Sequence, residues 1–437
     1  MKYYMVGIKG AGMSALALIL NDLGYEVSGY DDDTSHEFTE DKLTANNIKI
    51  YTGNESGIDS NSVVVRSSAI KDSHKEIQKA FELNLKVYEY NEMLGKLSTM
   101  FSSITVAGCH GKTTTTSMLA HVLNDIEGCN YLVGDGEGYV NKENKLFVFE
   151  ACEYRRHFLE YSPYYAIITN IDLDHVDYYK DIDDVISAYQ EYASKADKMV
   201  IACGDDRYTH TLEINKPIFY YGLNDDNDII AKDIEYTNDG VNFDVFVEGN
   251  YYGHFELPFF GKHMILNALA VIGVCHYERI DPKEVAKSLK TFKGAKRRFA
   301  IEEIGDTVII DDYAHHPEEV KVTIKAARQK YPDKKIVAVF QPHTFSRTKE
   351  FALELANSLN LADKAFVLDI YPAREKQEDY EGITSDIIIN NLNNGEHINN
   401  DEVKKLLEYK NCVVMFMSPK EIYKLKEDFK NSISNEA

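Results

Sequence analysis

Ser103-Ile104-Thr105-Val106-Ala107-Gly108-Cys109-His110-Gly111-Lys112-Thr113-Thr114 is the stretch that decides how this chain is read. Its first five residues form a short, largely β-branched run, and the apolar residues after Thr114 recur at helical spacing, so the glycines occupy a strand-to-helix turn. A phosphate-binding loop needs that setting. Glycines let backbone N–H groups wrap a polyphosphate, the helix N-terminus adds positive potential, a lysine reaches the terminal phosphates and a threonine hydroxyl ligates a divalent cation. Gly108, Cys109, His110, Gly111, Lys112, Thr113 and Thr114 are therefore the candidate nucleotide loop. The pattern departs from the full Walker form, because Val106 stands where its first glycine is expected.

Towards the amino terminus a second glycine-bearing turn joins a strand over 2–7 to an apolar-periodic helix over 13–23. Its spacing, Gly7-Ile8-Lys9-Gly10-Ala11-Gly12-Met13, is GxxGxG rather than the GxGxxG of dinucleotide sites, and Asp31 ends the next strand. A nucleoside diphosphate suits it as well as a dinucleotide does, because the helix N-terminus recognises the pyrophosphate. Strands at 26–30 and 62–66 continue a βαβ pattern to about residue 97, which predicts a parallel sheet. The pattern restarts near residue 98, with strands at 146–149, 166–169 and 199–202. Between residues 228 and 260, alternation around Asp239-Gly240 and Gly249-Asn250 predicts antiparallel hairpins, followed by a helix over 263–276. The polar segment Phe292-Lys293-Gly294-Ala295-Lys296 marks a further boundary. Beyond it, strands at 307–310, 336–340, 365–369 and 412–417 alternate with helices, and the Asn-rich stretch 390–400 reads as a surface loop. The expectation is an α/β chain of three domains, 1–97, 98–295 and 296–437, each on a mainly parallel sheet with flanking helices. At roughly 150 residues per domain, a length of 437 agrees.

Composition narrows the function. With 48 Lys plus Arg against 71 Asp plus Glu, the formal charge of −23 excludes a general nucleic-acid binder, since phosphate neutralisation needs clustered cations. No apolar run approaches the ~20 residues of a membrane span, and no basic leader with a cleavage site precedes the first strand. A soluble, cytoplasmic protein is expected, with no membrane association. The six cysteines form no CxxC pair and are read as free thiols.

Polar residues collect at predicted strand ends. Glu150 and Glu153 follow one strand, and Asp172, Asp174, His175 and Asp177 follow another. Hard oxygen donors with an occasional imidazole suit Mg²⁺ or Mn²⁺ better than zinc. Asp311-Asp312-Tyr313-Ala314-His315-His316-Pro317 and Gln341-Pro342-His343-Thr344-Phe345-Ser346-Arg347 end the first two strands of the third region, where parallel sheets gather ligands. Adjacent residues point apart in extended chain, so His315 and His316 are not expected to share one metal. Lys296-Arg297-Arg298 is a basic patch at a domain boundary, read either as a solvated hinge or as a phosphate contact. Cys109, at a helix N-terminus beside Lys112, has two features that lower a thiol pKa, which predicts a reactive thiolate that nucleotide protects. The alternative is a cysteine packed inward.

Taken together, GIKGAGMSALA (7–17), GCHGKTTTT (108–116), FEACEYRRHF (149–158), TNIDLDHVDYY (169–179), KRRF (296–299), DDYAHHP (311–317) and FQPHTFSRT (340–348) resemble the Mur ligases over nearly the whole chain. The likeness is greatest to the members that join L-alanine to UDP-N-acetylmuramate. The resemblance implies a Rossmann-like UDP-sugar domain, a central P-loop ATPase with an added β-rich part, and a Rossmann-like third domain that takes the amino acid. It implies that Lys112 and Thr113 hold the β- and γ-phosphates with Mg²⁺, and that Glu150 and His175 support the metal. Asn267 would face the adenine, Arg298 and Asp312 would contact phosphate and ribose, and His343, Ser346 and Arg347 would lie near the reacting carboxylate and L-alanine. Gly10, Ala11, Gly12 and Met13 would surround the UDP diphosphate. Lys112, His175, Arg298, His343 and Arg347 would carry the catalysis, and the protein would be a monomer or weak homodimer acting in peptidoglycan synthesis.

The chain departs from the family pattern at Cys109 (usually Thr), Met264 (often Asn), Cys152 (often Asp) and Met417-Ser418-Pro419-Lys420, where a glycine-rich turn is usual. A related ligase that attaches a preformed peptide to the same sugar nucleotide is the alternative within the family. A nicotinamide-dependent oxidoreductase has no use for the second phosphate loop, and a nucleotide-switched binding protein has none for the first.

Overall fold

The computed structural model describes residues 1–373, 375–419 and 422–434. Lys420 of the Met417–Lys420 departure lies outside them. Three sheets organise the described residues. The first holds β1 (Lys2–Val6), β2 (Glu26–Tyr30), β3 (Lys49–Tyr51), β4 (Ser62–Arg66) and β5 (Val87–Glu89) in the order β3-β2-β1-β4-β5, all parallel. Chain direction across the sheet reverses at β1, and the turn 7–12 leaves β1 at that switch point, where open sheets form a crevice.

The second sheet has ten strands, β6 (Ser102–Ala107), β7 (Asn130–Val133), β8 (Glu137–Tyr139), β9 (Leu146–Glu150), β10 (Tyr165–Ile168), β11 (Met199–Cys203), β12 (Ile218–Gly222), β13 (Ile229–Tyr236), β14 (Val241–Val247) and β15 (Asn250–Leu257). β6 lies between β9 and β10, both parallel to it. Residues that follow β9 and β10 are thus carried to either side of the phosphate loop that follows β6. β13, β14 and β15 pair antiparallel, with turns at Asp239-Gly240 and Gly249. Buried residues alternate along β14, as Val241, Phe243, Val245 and Val247, which is the pattern of a strand with one packed face.

The third sheet runs β16-β17-β21-β18-β19-β20 through β16 (Ala300–Ile304), β17 (Thr307–Asp312), β18 (Ile336–Phe340), β19 (Lys364–Val367), β20 (Gly395–His397) and β21 (Val413–Met417). Only β16 is antiparallel to its neighbour. The Asn-rich stretch corrects the sequence reading. It is not all surface loop, because β20 lies within it and pairs with β19, with irregular chain on either side.

Helix Ala11–Asp22 of the first sheet packs on β8 of the second, and Gly138 makes the approach feasible. A Cβ there would fall 2.2 Å from the Ala15 carbonyl oxygen. Among the described residues no helix is long and apolar enough to cross a membrane.

Candidate active site

The phosphate loop links β6 to helix Lys112–Ile126, as expected, with Gly111 at the helix start in the left-handed region. Gly108 (φ +141°) fits against Thr169 so closely that a Cβ would stand 1.9 Å from the threonine hydroxyl. A second anchor is Asn170, whose amide accepts the His110 N–H at 2.9 Å and donates to the His110 carbonyl at 2.9 Å. The strand order explains these contacts, since Thr169 and Asn170 directly follow β10.

Lys112 does not project freely. Its ammonium donates to the loop's own Gly108 carbonyl and lies 3.0 Å from Glu153, which is 2% exposed. Burial pushes Glu153 up, but Lys112 and His175 outweigh it and hold the carboxyl below its usual range. His175, with φ +51°, turns its Nε2 to Glu153 Oε1 at 3.4 Å. Glu150 accepts the Gly134 N–H at 2.6 Å and reaches the Thr113 hydroxyl. Of the three residues expected at a metal, Thr113 and Glu150 thus come together, and His175 is turned to Glu153. A hydroxyl beside a half-buried carboxylate is a hard-oxygen pair, which fits Mg²⁺.

A cavity of about 500 Å³ opens beside the loop, lined by His110, Thr113, His263, Asn267, Arg298 and Asp312 among others. Arg298 crosses from the third sheet's region to the loop, donating to the Thr113 hydroxyl at 3.4 Å while stacking on Tyr313. Asp312 accepts the Phe299 N–H at 2.7 Å and the Ala314 N–H at 2.8 Å. It thereby staples the segment in which Arg297 and Phe299 both have positive φ. Burial lifts Asp312 to about 6. A carboxyl raised in the folded state stabilises it fully below the unfolded value of 3.8, and that contribution is lost as pH rises through 6. Relative to the wild type, Asp312→Asn should therefore gain stability from pH 4 to 7, a constant offset from the lost N–H acceptor aside. Urea midpoints across that range check this, and parallel curves would refute it.

A second cavity, of about 190 Å³, is lined by Asp174, His175, His315, His343, Ser346 and Arg347, with others. Arg347 donates through Nε and Nη2 to Asp174 Oδ1 at 3.2 and 2.6 Å, and both side chains are 8% exposed. It also donates to His343 Nδ1 at 3.1 Å, which orients that ring. Glu375 accepts the Phe345 and Ser346 N–H groups at the start of helix Phe345–Leu359. His315 and His316 diverge as expected. His315 Nδ1 donates to the Tyr313 carbonyl, and the His316 ring packs against that of His110. Gly10, Ala11, Gly12 and Met13 line neither cavity and lie at the β1 switch point.

Glu319 was not singled out in the sequence. It accepts the N–H of His315 and of His316 and faces His110 Nδ1 at 3.4 Å. The usable signal was His-Pro-Glu-Glu, a capping box in which Glu319 reaches back to the N-cap.

Cys109 corrects the reactive-thiol expectation. Its sulfur donates to the Asp172 carbonyl and accepts the Asp172 N–H, and burial pushes the thiol well above its ordinary value. The inward packing that the sequence left as the alternative is observed. Cys109 should resist alkylation in the folded protein with or without nucleotide, and peptide mapping checks this. Labelling that Mg-ATP suppresses would restore the reactive reading.

The profile of the Mur ligase family catalytic domain matches residues 2–102, that of the Mur ligase middle domain residues 106–275, and that of the Mur ligase glutamate ligase domain residues 297–415. The UDP-N-acetylmuramate-alanine ligase MurC of Thermotoga maritima is 26% identical, with full coverage of both chains and a TM-score of 0.81. A murein peptide ligase from Psychrobacter arcticus is 22% identical over 100% of this chain and 99% of its own, with a TM-score of 0.72. The UDP-N-acetylmuramate:L-alanyl-gamma-D-glutamyl-meso-diaminopimelate ligase of Neisseria meningitides is 25% identical over 68% of this chain and 99% of its own, at 0.59. Three consecutive family domains on three α/β sheets establish that this chain belongs to the Mur ligase family of ATP-dependent, ADP-forming ligases.

Proposed function

We propose that this chain joins L-alanine to the lactyl carboxylate of UDP-N-acetylmuramate at the expense of ATP. The observation that carries this reading is the cavity of about 190 Å³ between Asp174, His343, Ser346 and Arg347. It is smaller than the roughly 300–1,000 Å³ of sites for larger ligands, and so suits a small amino acid better than a tripeptide. The likeness to an alanine ligase at full coverage supports the same choice.

In this reading Gly108 to Thr114 wrap the triphosphate, Asn267 meets the adenine, and Arg298 with Asp312 contacts phosphate and ribose. The lactyl carboxylate attacks the γ-phosphorus, ADP leaves, and an acyl phosphate forms. The amine of L-alanine then attacks the acyl carbon, phosphate leaves, and the ammonium proton passes to a base. Lys112 and Arg298 balance charge on the transferring group, while His343 and Arg347 position the carboxylate and the amino acid. Thr113 and Glu150, with His175 nearby, would hold Mg²⁺, which when bound supplies charge neutralisation at the phosphates. Gly10 to Met13 take the UDP diphosphate at the first sheet's switch point.

Phosphate release measured with UDP-N-acetylmuramate, ATP, Mg²⁺ and a panel of L-alanine, glycine, L-serine and the L-alanyl-γ-D-glutamyl-diaminopimelate tripeptide tests the assignment. L-alanine should support release and the tripeptide should not. The reverse result would assign the chain to the peptide-attaching members.

A further inference from the structure

We infer that His110, Asp172 and His316 form a binding site for a borderline transition-metal cation of the Zn²⁺ class, bridging the central and third domains. Each side chain offers one ligand atom, and the three atoms lie within 4.8 Å of one another. They come from the phosphate loop, the segment after β10 and the start of helix Pro317–Lys330. The two imidazole rings lie tilted at 35° to one another with centroids 4.4 Å apart. His110 Nε2 and His316 Nε2 are both buried without a hydrogen-bond partner, and His316 as a whole is 4% exposed. Asp172 Oδ2 stands 3.8 Å from His110 Nε2, beyond hydrogen-bond reach. His316 Nε2 is buried with no partner and His110 Nε2 has only the loose ion pair with Asp172, so a cation would engage all three at once.

The donor set names the chemical class. Two imidazoles and one carboxylate are the protein ligands of a Zn²⁺ site with an open position, whereas Mg²⁺ prefers oxygen alone and has the Thr113 and Glu150 pair. Bonds of about 2.0–2.1 Å require the ligand atoms to close by roughly 1.5 Å at most, within reach of side-chain rotation. His110 already has a carboxylate behind its ring, with Glu319 Oε1 3.4 Å from Nδ1, an arrangement that presents Nε2 to a metal. His316 Nδ1 accepts a long, 3.4 Å bond from the Glu318 N–H. Coordination through Nε2 puts the ring proton on Nδ1 and gives that bond up. Because the ligands belong to two domains, an occupied site holds the third domain against the phosphate loop and slows nucleotide exchange.

The test uses the full chain, stripped of metal, with Co²⁺ as a spectroscopic probe under saturating Mg²⁺. One Co²⁺ per chain should bind with the intense visible absorption of a tetrahedral site and be displaced by Zn²⁺. His316→Asn retains a side-chain acceptor at the helix N-cap and should weaken Co²⁺ binding by at least about 100-fold. Asp172→Asn provides an independent second variant, and circular dichroism checks the fold of both. Cys152→Ser, which removes an exposed thiol, should bind as the wild type does. Zn²⁺ should inhibit the wild type in excess Mg²⁺ and spare His316→Asn. Equal affinity in wild type and both variants, a weak octahedral spectrum erased by Mg²⁺, thiolate charge-transfer bands lost in Cys152→Ser, or no bound Co²⁺ would each overturn the site.

Discussion

Lys112→Ala is expected to lower turnover by about 10²- to 10³-fold or more, the effect of removing one preorganised charge from a transferring phosphoryl group. In the structure the Lys112 ammonium is folded back onto the Gly108 carbonyl and Glu153. In the proposed role, nucleotide would have to draw the lysine away from a carboxylate that is 2% exposed. Without Lys112, Glu153 keeps only His175, at 3.4 Å, as a neighbouring base, and the thermal midpoint should fall as well. The double variant Lys112→Ala, Glu153→Gln separates the two effects. It should recover much of the lost stability and none of the lost turnover. Near-wild-type kcat in folded Lys112→Ala would remove the phosphate-loop assignment.

What could be read in the sequence was whatever depends on neighbours in the chain. The glycines from Gly108 to Gly111, the hairpins at Asp239-Gly240 and Gly249-Asn250, and the switch-point turn after β1 each announce themselves within a dozen residues. The divergence of His315 and His316 followed from extended-chain geometry alone. What was not legible depends on strands meeting. Lys112 and Glu153 are neighbours because β9 pairs with β6, and nothing within either segment says so. Cys109 misled for the same reason. Its local setting favours a thiolate, but the segment following β10 covers the sulfur, and burial outweighs the nearby lysine. The Asn-rich stretch has the composition of a loop, yet three of its residues pair with β19. Glu319 looked like an ordinary first-turn acid, and only the approach of the third domain to the loop gives it His110.

The ion pair between Asp174 and Arg347 links residues 173 positions apart, on the central and third domains. Arg347→Met should reveal how strongly it holds the two together. Burial raises the Asp174 carboxyl, but Arg347 foremost, with His175, brings it well below its usual range, so it is ionised throughout the working pH range. Removing the arginine leaves that charge buried without its main partner, a loss of up to about 3–5 kcal/mol where the site cannot relax. Here relaxation is available, because the charge regains water if the third domain swings away. The expected result is therefore a shift towards an open arrangement rather than global unfolding. It should appear as a larger radius of gyration in solution scattering, at least a 10²-fold fall in kcat/KM and little change in the helical signal. Asp174→Asn in the Arg347→Met background removes the stranded charge and should return the protein to compactness without restoring activity, since the contact with His343 stays lost. A compact, active Arg347→Met protein would mean that the pair decorates the interface and does not hold it.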